Sequence, residues 1–305
     1  MHAIRFDNYG HRDVLYVADI GIPEPAPGEV VVQVKAAGIN PGEASIREGY
    51  LRDRFPSTFP SGEGTDLAGI VYAIGDGVDE WSLGDEVLGW SWTRSSHAEY
   101  AAVPAEQLVS KPSHVSWEAA ATLGVAGATA AAAVAAVNPG PTDTVAVSGA
   151  AGGVGVFVVQ LLRLAGSRVL GIASDANRDW LQAHGVEQIA YGDGLAERIK
   201  TAAPDGIDAF IDLYGPEYID LAVELGVAPD RIETIISFER AGAVGAKTAG
   251  SGDGTTRENL SHLAALIDEG KLEVPIAATY PLDRVQDAFA ELEQRHTRGK
   301  IVLIP

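Results

Sequence analysis

The chain predicts an α/β fold in which a doubly wound parallel sheet is inserted into a smaller, β-rich, barrel-like domain. Three observations carry that expectation. From residue 116 to 261, short apolar strands alternate with helical segments, the pattern of a parallel sheet with right-handed crossovers. Residues 1–115 instead hold β-branched runs separated by Gly/Pro turns, and the closing segment, 262–305, ends on another such strand. Within the middle segment, a glycine-rich turn joins a buried strand to a helix.

In the first segment, residues 30–35 (VVVQVK) and 68–74 (AGIVYAI) read as strands, with turns at PEPAPG, GDG and LGD. At Ser116, which reads as an N-cap, the texture changes to an Ala-rich helix over 119–137, which stops at Asn138-Pro139-Gly140. Strands are then expected at 145–148, 169–173, 188–191, 207–212 and 231–237, with helices between them. Leu260, Leu263, Ala264 and Ile267 give 257–270 an amphipathic helical face. A strand near 277–282, a helix over 285–294 and a strand over 300–304 complete the chain.

The turn after residue 148 carries the chemistry. Its sequence, SGAAGGVG, places Ala150, Gly152, Gly153, Val154 and Gly155 in an AxGxxG pattern between strand and helix. Glycine lets the chain turn tightly and lets a pyrophosphate approach the backbone, while the helix N-terminus offers free N–H groups and partial positive charge. Dinucleotide binding is the expectation. NAD-binding versions of such a fold end the second strand on a carboxylate for the ribose 2′-hydroxyl. Here that strand ends at Ala173-Ser174. Ser174, Asn177 and Arg178 suit a 2′-phosphate, which favours NADPH over NADH, whereas Asp175 opposes it. A helix cap formed by Ser174 and Asn177, with Arg178 solvated, is the competing reading.

Composition excludes several classes. Lys and Arg total 22 against 42 Asp and Glu, a net charge of −20, which repels nucleic acid and anionic membranes. With no cysteine there are no disulfides, thiolate nucleophiles or Cys zinc ligands. No signal-like apolar region opens the sequence and no apolar run of eighteen residues interrupts it, so a soluble, cytoplasmic protein of two domains is expected. His97 stands without a paired ligand or nucleophile and reads as structural. Trp81, Trp90 and Trp92 read as core or pocket wall.

Six blocks in order (AAGINP at 36–41, GTDLAG at 64–69, GDEV at 84–87, AEY at 98–100, the glycine turn, and GKIVL at 299–303) resemble the zinc-independent quinone oxidoreductase branch of the medium-chain dehydrogenase/reductase superfamily. The resemblance implies a GroES-like β-barrel catalytic domain over 1–115 plus 262–305 and a Rossmann domain over 116–261, with NADPH in a cleft between them. It also implies no metal. Zinc-dependent relatives have Cys and His where this chain has Asn40 and Thr65, which are poor ligands for tetrahedral zinc. Family members commonly carry an aspartate just after the Asn-Pro pair, where this chain has Pro41-Gly42-Glu43.

By the same resemblance, Tyr191 lies against the adenosine, Arg298 and Lys300 return to the cofactor, and Ser237 and Phe238 border the nicotinamide. Asn40 is the side chain expected at the reacting carbonyl, its amide donating to developing oxyanion charge; Tyr50 borders the same pocket. The implied reaction is hydride transfer from NADPH to a small-molecule quinone or to the β-carbon of an α,β-unsaturated carbonyl (enone). An enoyl-thioester reductase and a non-catalytic NADPH-binding sensor are the alternatives. A homodimer through an edge strand near 242–248 is a further family-based expectation.

Overall fold

A ten-residue strand, Glu29–Gly38, organises the first of two units in the computed structural model, which describes residues 1–305. That unit comprises residues 1–125 and 256–305. Val30, Val31, Val32 and Val34 suit an extended backbone because branching at Cβ stiffens χ1. The strand pairs antiparallel with Asp66–Ile74, Tyr100–Pro104 and Lys300–Ile304. Register shifts at Val31/Val32 and Val34/Ala36 bend it, as extra residues in a ladder do. Glu86–Trp90 and Leu108–Ser110 extend the sheet on one side, and Ile276–Pro281 pairs parallel with the terminal strand on the other.

Where Asp66–Ile74 crosses the long strand, a Cβ at Gly69 would lie 2.2 Å from the Gln33 carbonyl oxygen, so no larger residue fits. Val32, Val34, Leu67, Val71, Val103 and Leu108 fill the interior. Each buried side chain of this size contributes roughly 1.5–3 kcal/mol. A second core packs Phe289 of helix Val285–Glu293 with Phe6, Ile39 and Leu303.

The second unit, residues 126–255, is a five-stranded parallel sheet. Its spatial order is Glu187–Ile189, Arg168–Ile172, Thr144–Ser148, Ala209–Asp212, Ile232–Thr234. The chain leaves Thr144–Ser148 toward one edge and later returns to its other side, so the order reverses at the carboxyl ends of Thr144–Ser148 and Ala209–Asp212. Ligands bind at such a switch point.

Three expectations are corrected. The Ala-rich segment is not one helix: Trp117–Ala120 is followed by a π turn, Leu123–Gly127, before Ala128–Val137. The wide turn lets the Val125 N–H reach Asp66 Oδ1 at 2.6 Å, and a Cβ at Gly124 would collide with that same oxygen. The strand expected over 231–237 is only Ile232–Thr234. Finally, 242–248 is no edge strand: it is the end of helix Phe238–Val244, a left-handed Gly245 and a single bridge from Lys247 to Glu233.

Candidate active site

The glycine turn is shaped by its own backbone. Gly149 takes a left-handed φ of 61°, the Gly152 N–H donates to the Gly149 carbonyl at 2.9 Å, and helix Gly155–Leu164 follows. A Cβ at Gly155 would lie 2.1 Å from that carbonyl oxygen, so helix and turn can close only on glycine. At Gly152 a Cβ would meet one atom, at 3.3 Å, which leaves the face of the turn open. Ala150 is fully buried and donates its N–H to Ile172. The Gly153 and Val154 N–H groups precede the helix and donate to no backbone carbonyl. An open cradle of N–H groups at a helix N-terminus fits the pyrophosphate of a dinucleotide.

Beyond the second strand, Ser174 Oγ accepts from Asn177 Nδ2 at 3.0 Å, so these two come together. Arg178 pairs with Asp175 at the surface. Exposed pairs of this kind contribute about 0–1 kcal/mol, so the guanidinium can exchange that partner for a phosphate. Tyr191 lies past the end of Glu187–Ile189 and is 53% exposed, with its ring free to stack. Ser237 is buried, its hydroxyl bound to Asp212, while Phe238 is 57% exposed at the start of its helix.

In the first unit, Asn40 and Lys300 are two members of a larger network. Asn40 N-caps helix Pro41–Arg47 and is 4% exposed. Its backbone N–H donates to Glu43 Oε2 at 2.8 Å, and its amide donates to Asp66 Oδ2 at 2.9 Å and Glu43 Oε1 at 3.3 Å. The free amide donor expected at Asn40 is thus already engaged at both hydrogens. Its Oδ1 accepts from Lys300 Nζ at 2.6 Å, and the same ammonium donates to the Ile39 carbonyl at 2.8 Å. Lys300 therefore turns inward. Tyr50 is 76% exposed, and neither it nor the exposed Arg298 joins this network.

Two further pairs adjoin it. Arg47, fully buried, donates to Glu63 at 2.6 Å and lies 4.4 Å over the Phe289 ring. His97 Nε2 is 3.1 Å from the Gly38 carbonyl and 3.9 Å from Glu43. Burial dominates the titrations: it lifts Glu63 to about 8 against the Arg47 charge, Asp66 to about 7 against Lys300, and Glu43 in the same direction. It also lowers Lys300, and holds His97 neutral down to about 4. Three carboxylates face two cations, so this interior is balanced when it keeps one proton. Glu43, Glu63 and Arg47 escaped the sequence reading because charged residues on a short helix and a turn normally face water. The signal available was the capping-box spacing of Asn40 and Glu43. No group of three or more His, Cys, Asp or Glu is placed to hold a metal ion, and no helix is long and apolar enough to cross a membrane.

Comparison with known proteins agrees with this geometry. Residues 26–113 match the alcohol dehydrogenase GroES-like domain, and residues 184–303 match the model described as zinc-binding dehydrogenase. The chain is 30% identical to an NADPH-dependent alkenal/one oxidoreductase of Arabidopsis thaliana, covering 100% of this chain and 80% of that protein. It is 28% identical to the quinone oxidoreductase of Rattus norvegicus, covering 99% and 96%. The solved quinone oxidoreductase of Coxiella burnetii superposes with a TM-score of 0.88 at 30% identity, over 100% of this chain and 99% of that one. With a nicotinamide-nucleotide fold, a GroES-like unit and relatives along its full length, the chain is an oxidoreductase that belongs to the zinc-independent, quinone-oxidoreductase-like branch of the medium-chain dehydrogenase/reductase superfamily.

Proposed function

We propose that the protein is an NADPH-dependent reductase of quinones or α,β-unsaturated carbonyls. The observation that carries the cofactor half is the glycine turn, closed at Gly155 and open at Gly152. Ser174 and Arg178, without a carboxylate as the last residue of strand Arg168–Ile172, support the phosphorylated cofactor. The alkenal/one and quinone reductases among the relatives support the acceptor classes. Bound NADPH would supply a hydride from its nicotinamide C4.

The chain's own residues bind and orient. Gly152, Gly153, Val154 and Gly155 receive the pyrophosphate, Arg178 and Ser174 the 2′-phosphate, Tyr191 the adenosine, and Ser237 and Phe238 border the nicotinamide. On the acceptor side, Asn40 releases its longer bond, the 3.3 Å contact to Glu43, and turns that hydrogen toward the acceptor oxygen. Lys300 acts through Asn40, fixing the amide by its Oδ1. Tyr50 offers its exposed ring and hydroxyl at the pocket rim.

The test is NADPH oxidation followed by absorbance against 1,4-benzoquinone, 9,10-phenanthrenequinone, an alkenal and a crotonyl thioester, each repeated with NADH and with a chelator. Chelator-resistant turnover of a quinone or the alkenal supports the reading. Preference for the thioester would make the protein an enoyl-thioester reductase, and tight NADPH binding without turnover would make it a sensor. In the active enzyme, Asn40→Ala is expected to lower kcat about a hundredfold while NADPH binding changes little. Unchanged turnover removes Asn40 from the chemistry.

A further inference from the structure

At the carboxyl edge of the parallel sheet a single buried side chain gathers three strand ends. Asp212 closes the central strand Ala209–Asp212 and is fully buried. Its Oδ1 accepts from Ser148 Oγ at 2.7 Å, from the Tyr214 N–H at 2.9 Å and from the Gly215 N–H at 3.1 Å. Its Oδ2 accepts from Thr234 Oγ1 at 2.8 Å and Ser237 Oγ at 3.2 Å. The partners are themselves engaged: Ser148 Oγ accepts the Leu213 N–H, and Thr234 Oγ1 accepts the N–H groups of Ile236 and Ser237.

We propose that Asp212 is a positioning residue of the cofactor site, which couples the glycine turn to the loop that carries Ser237 and Phe238. The inference rests on the nicotinamide-cofactor reading above. Ser148 is the last residue before the turn at Gly149, and Ser237 directly precedes Phe238, so the two ends of the site share one carboxylate. Strand pairing does not require this. The ladder already holds Thr144–Ser148, Ala209–Asp212 and Ile232–Thr234 in register, and the Asp212 bonds lie at or beyond its carboxyl end. An apolar side chain there would satisfy packing alone. A carboxylate with five donors fixes directions that packing leaves loose.

The two oxygens do separable work, and Asp212→Asn tests that. Oriented with its carbonyl toward Ser148, Tyr214 and Gly215, the amide keeps those three bonds. Its NH₂ then faces Thr234 Oγ1, which already accepts two N–H groups and loses the acceptor for its own hydrogen. The variant should hold the glycine turn and free the 234–238 loop.

The experiment measures equilibrium binding of NADPH and of 2′-phospho-ADP-ribose, which is NADPH without its nicotinamide, to full-length wild type and Asp212→Asn, with thermal midpoints as the check on folding. The expected result is an approximately tenfold loss of NADPH affinity, the size of one hydrogen bond, with 2′-phospho-ADP-ribose binding within about twofold of wild type. Equal losses for both ligands, or none for either, overturn the assignment. If wild type binds neither ligand, the cofactor reading fails, and the assignment falls with it. Should Asp212→Asn not fold, Thr234→Val, which removes a donor to Oδ2 together with the acceptor for the Ile236 and Ser237 N–H groups and leaves the Oδ1 bonds intact, must give the same split between ligands, while Ser148→Ala, on the Oδ1 side, must weaken both.

Discussion

The first unit buries three carboxylates beside two cations, whereas the hub of the second unit is one carboxylate served by hydroxyl and amide donors. Both networks are buried and both tie distant segments together. They differ in what a broken contact leaves behind. Removing one member of an ion pair strands a formal charge in a poorly solvated interior, and the desolvation cost is then uncompensated. Removing one hydroxyl leaves a neutral donor or acceptor unsatisfied, a smaller loss.

The largest expected effect follows directly. Arg47→Met keeps much of the packing on Phe289 and leaves Glu63 without its guanidinium. At pH 9, above the value of about 8 to which burial lifts Glu63, denaturant unfolding should register a loss of about 3–5 kcal/mol. Arg47→Met combined with Glu63→Leu should recover most of it, since no charge then remains unpaired. A single variant that unfolds at the wild-type midpoint would mean that Glu63 is already neutral beside Arg47.

The second effect separates the units by pH. Burial raises Glu63 from 4.5 to about 8 and Asp66 from 3.8 to about 7, so the folded protein keeps protons that the unfolded chain has released. That contribution to stability is present at low pH and is lost as pH rises through the folded values. His97 has the opposite sign: its value falls from 6.5 to about 4, so its contribution disappears as pH drops below 6.5. Between pH 6.5 and 8 the raised carboxylates set the trend and stability should decline across that window, with Lys300, which burial lowers, acting in the opposite sense. Glu63→Gln should flatten the decline. The second unit has one comparable group, Glu233, which burial lifts to about 8, and Glu233→Gln removes its share separately. A slope that survives both substitutions would assign the lost protons to Asp66 or Glu43.

The two networks were also unequally legible. Strand positions, the parallel sheet and the glycine turn follow from local patterns, because period, turn chemistry and capping are written in neighbouring residues. Asn40 and Lys300 were legible as separate candidates, but their 2.6 Å bond joins positions from opposite ends of the chain. Glu63 and Asp66 meet Arg47 and Asn40 at shorter separations, 16 and 26 residues, which no local pattern links. Asp212 was placed within a strand, yet nothing local announces that hydroxyls from Ser148, Thr234 and Ser237 converge on it. The π turn at Leu123–Gly127 was hidden by an Ala-rich run whose propensity favours unbroken helix, and its cause is a carboxylate, Asp66, far away in sequence.

The smallest expected effect sharpens the comparison most. Thr234→Val is close to isosteric and deletes one donor to Asp212 Oδ2 together with one acceptor for the Ile236 and Ser237 N–H groups. Asp212 retains four of its five donors, and no formal charge loses an ionic partner. The expected loss is about 1–2 kcal/mol, less than half that of Arg47→Met. Hydroxyls and amides do not titrate in this range, so the difference from wild type should be the same at pH 6.5 and pH 8, where the Glu63→Gln difference changes. Unfolding measured at the two pH values checks both statements at once. A Thr234→Val penalty that grows with pH would mean that the hub feels the charge on Glu233, which lies next to Thr234 in the same strand, and the two networks would then differ in degree and not in kind.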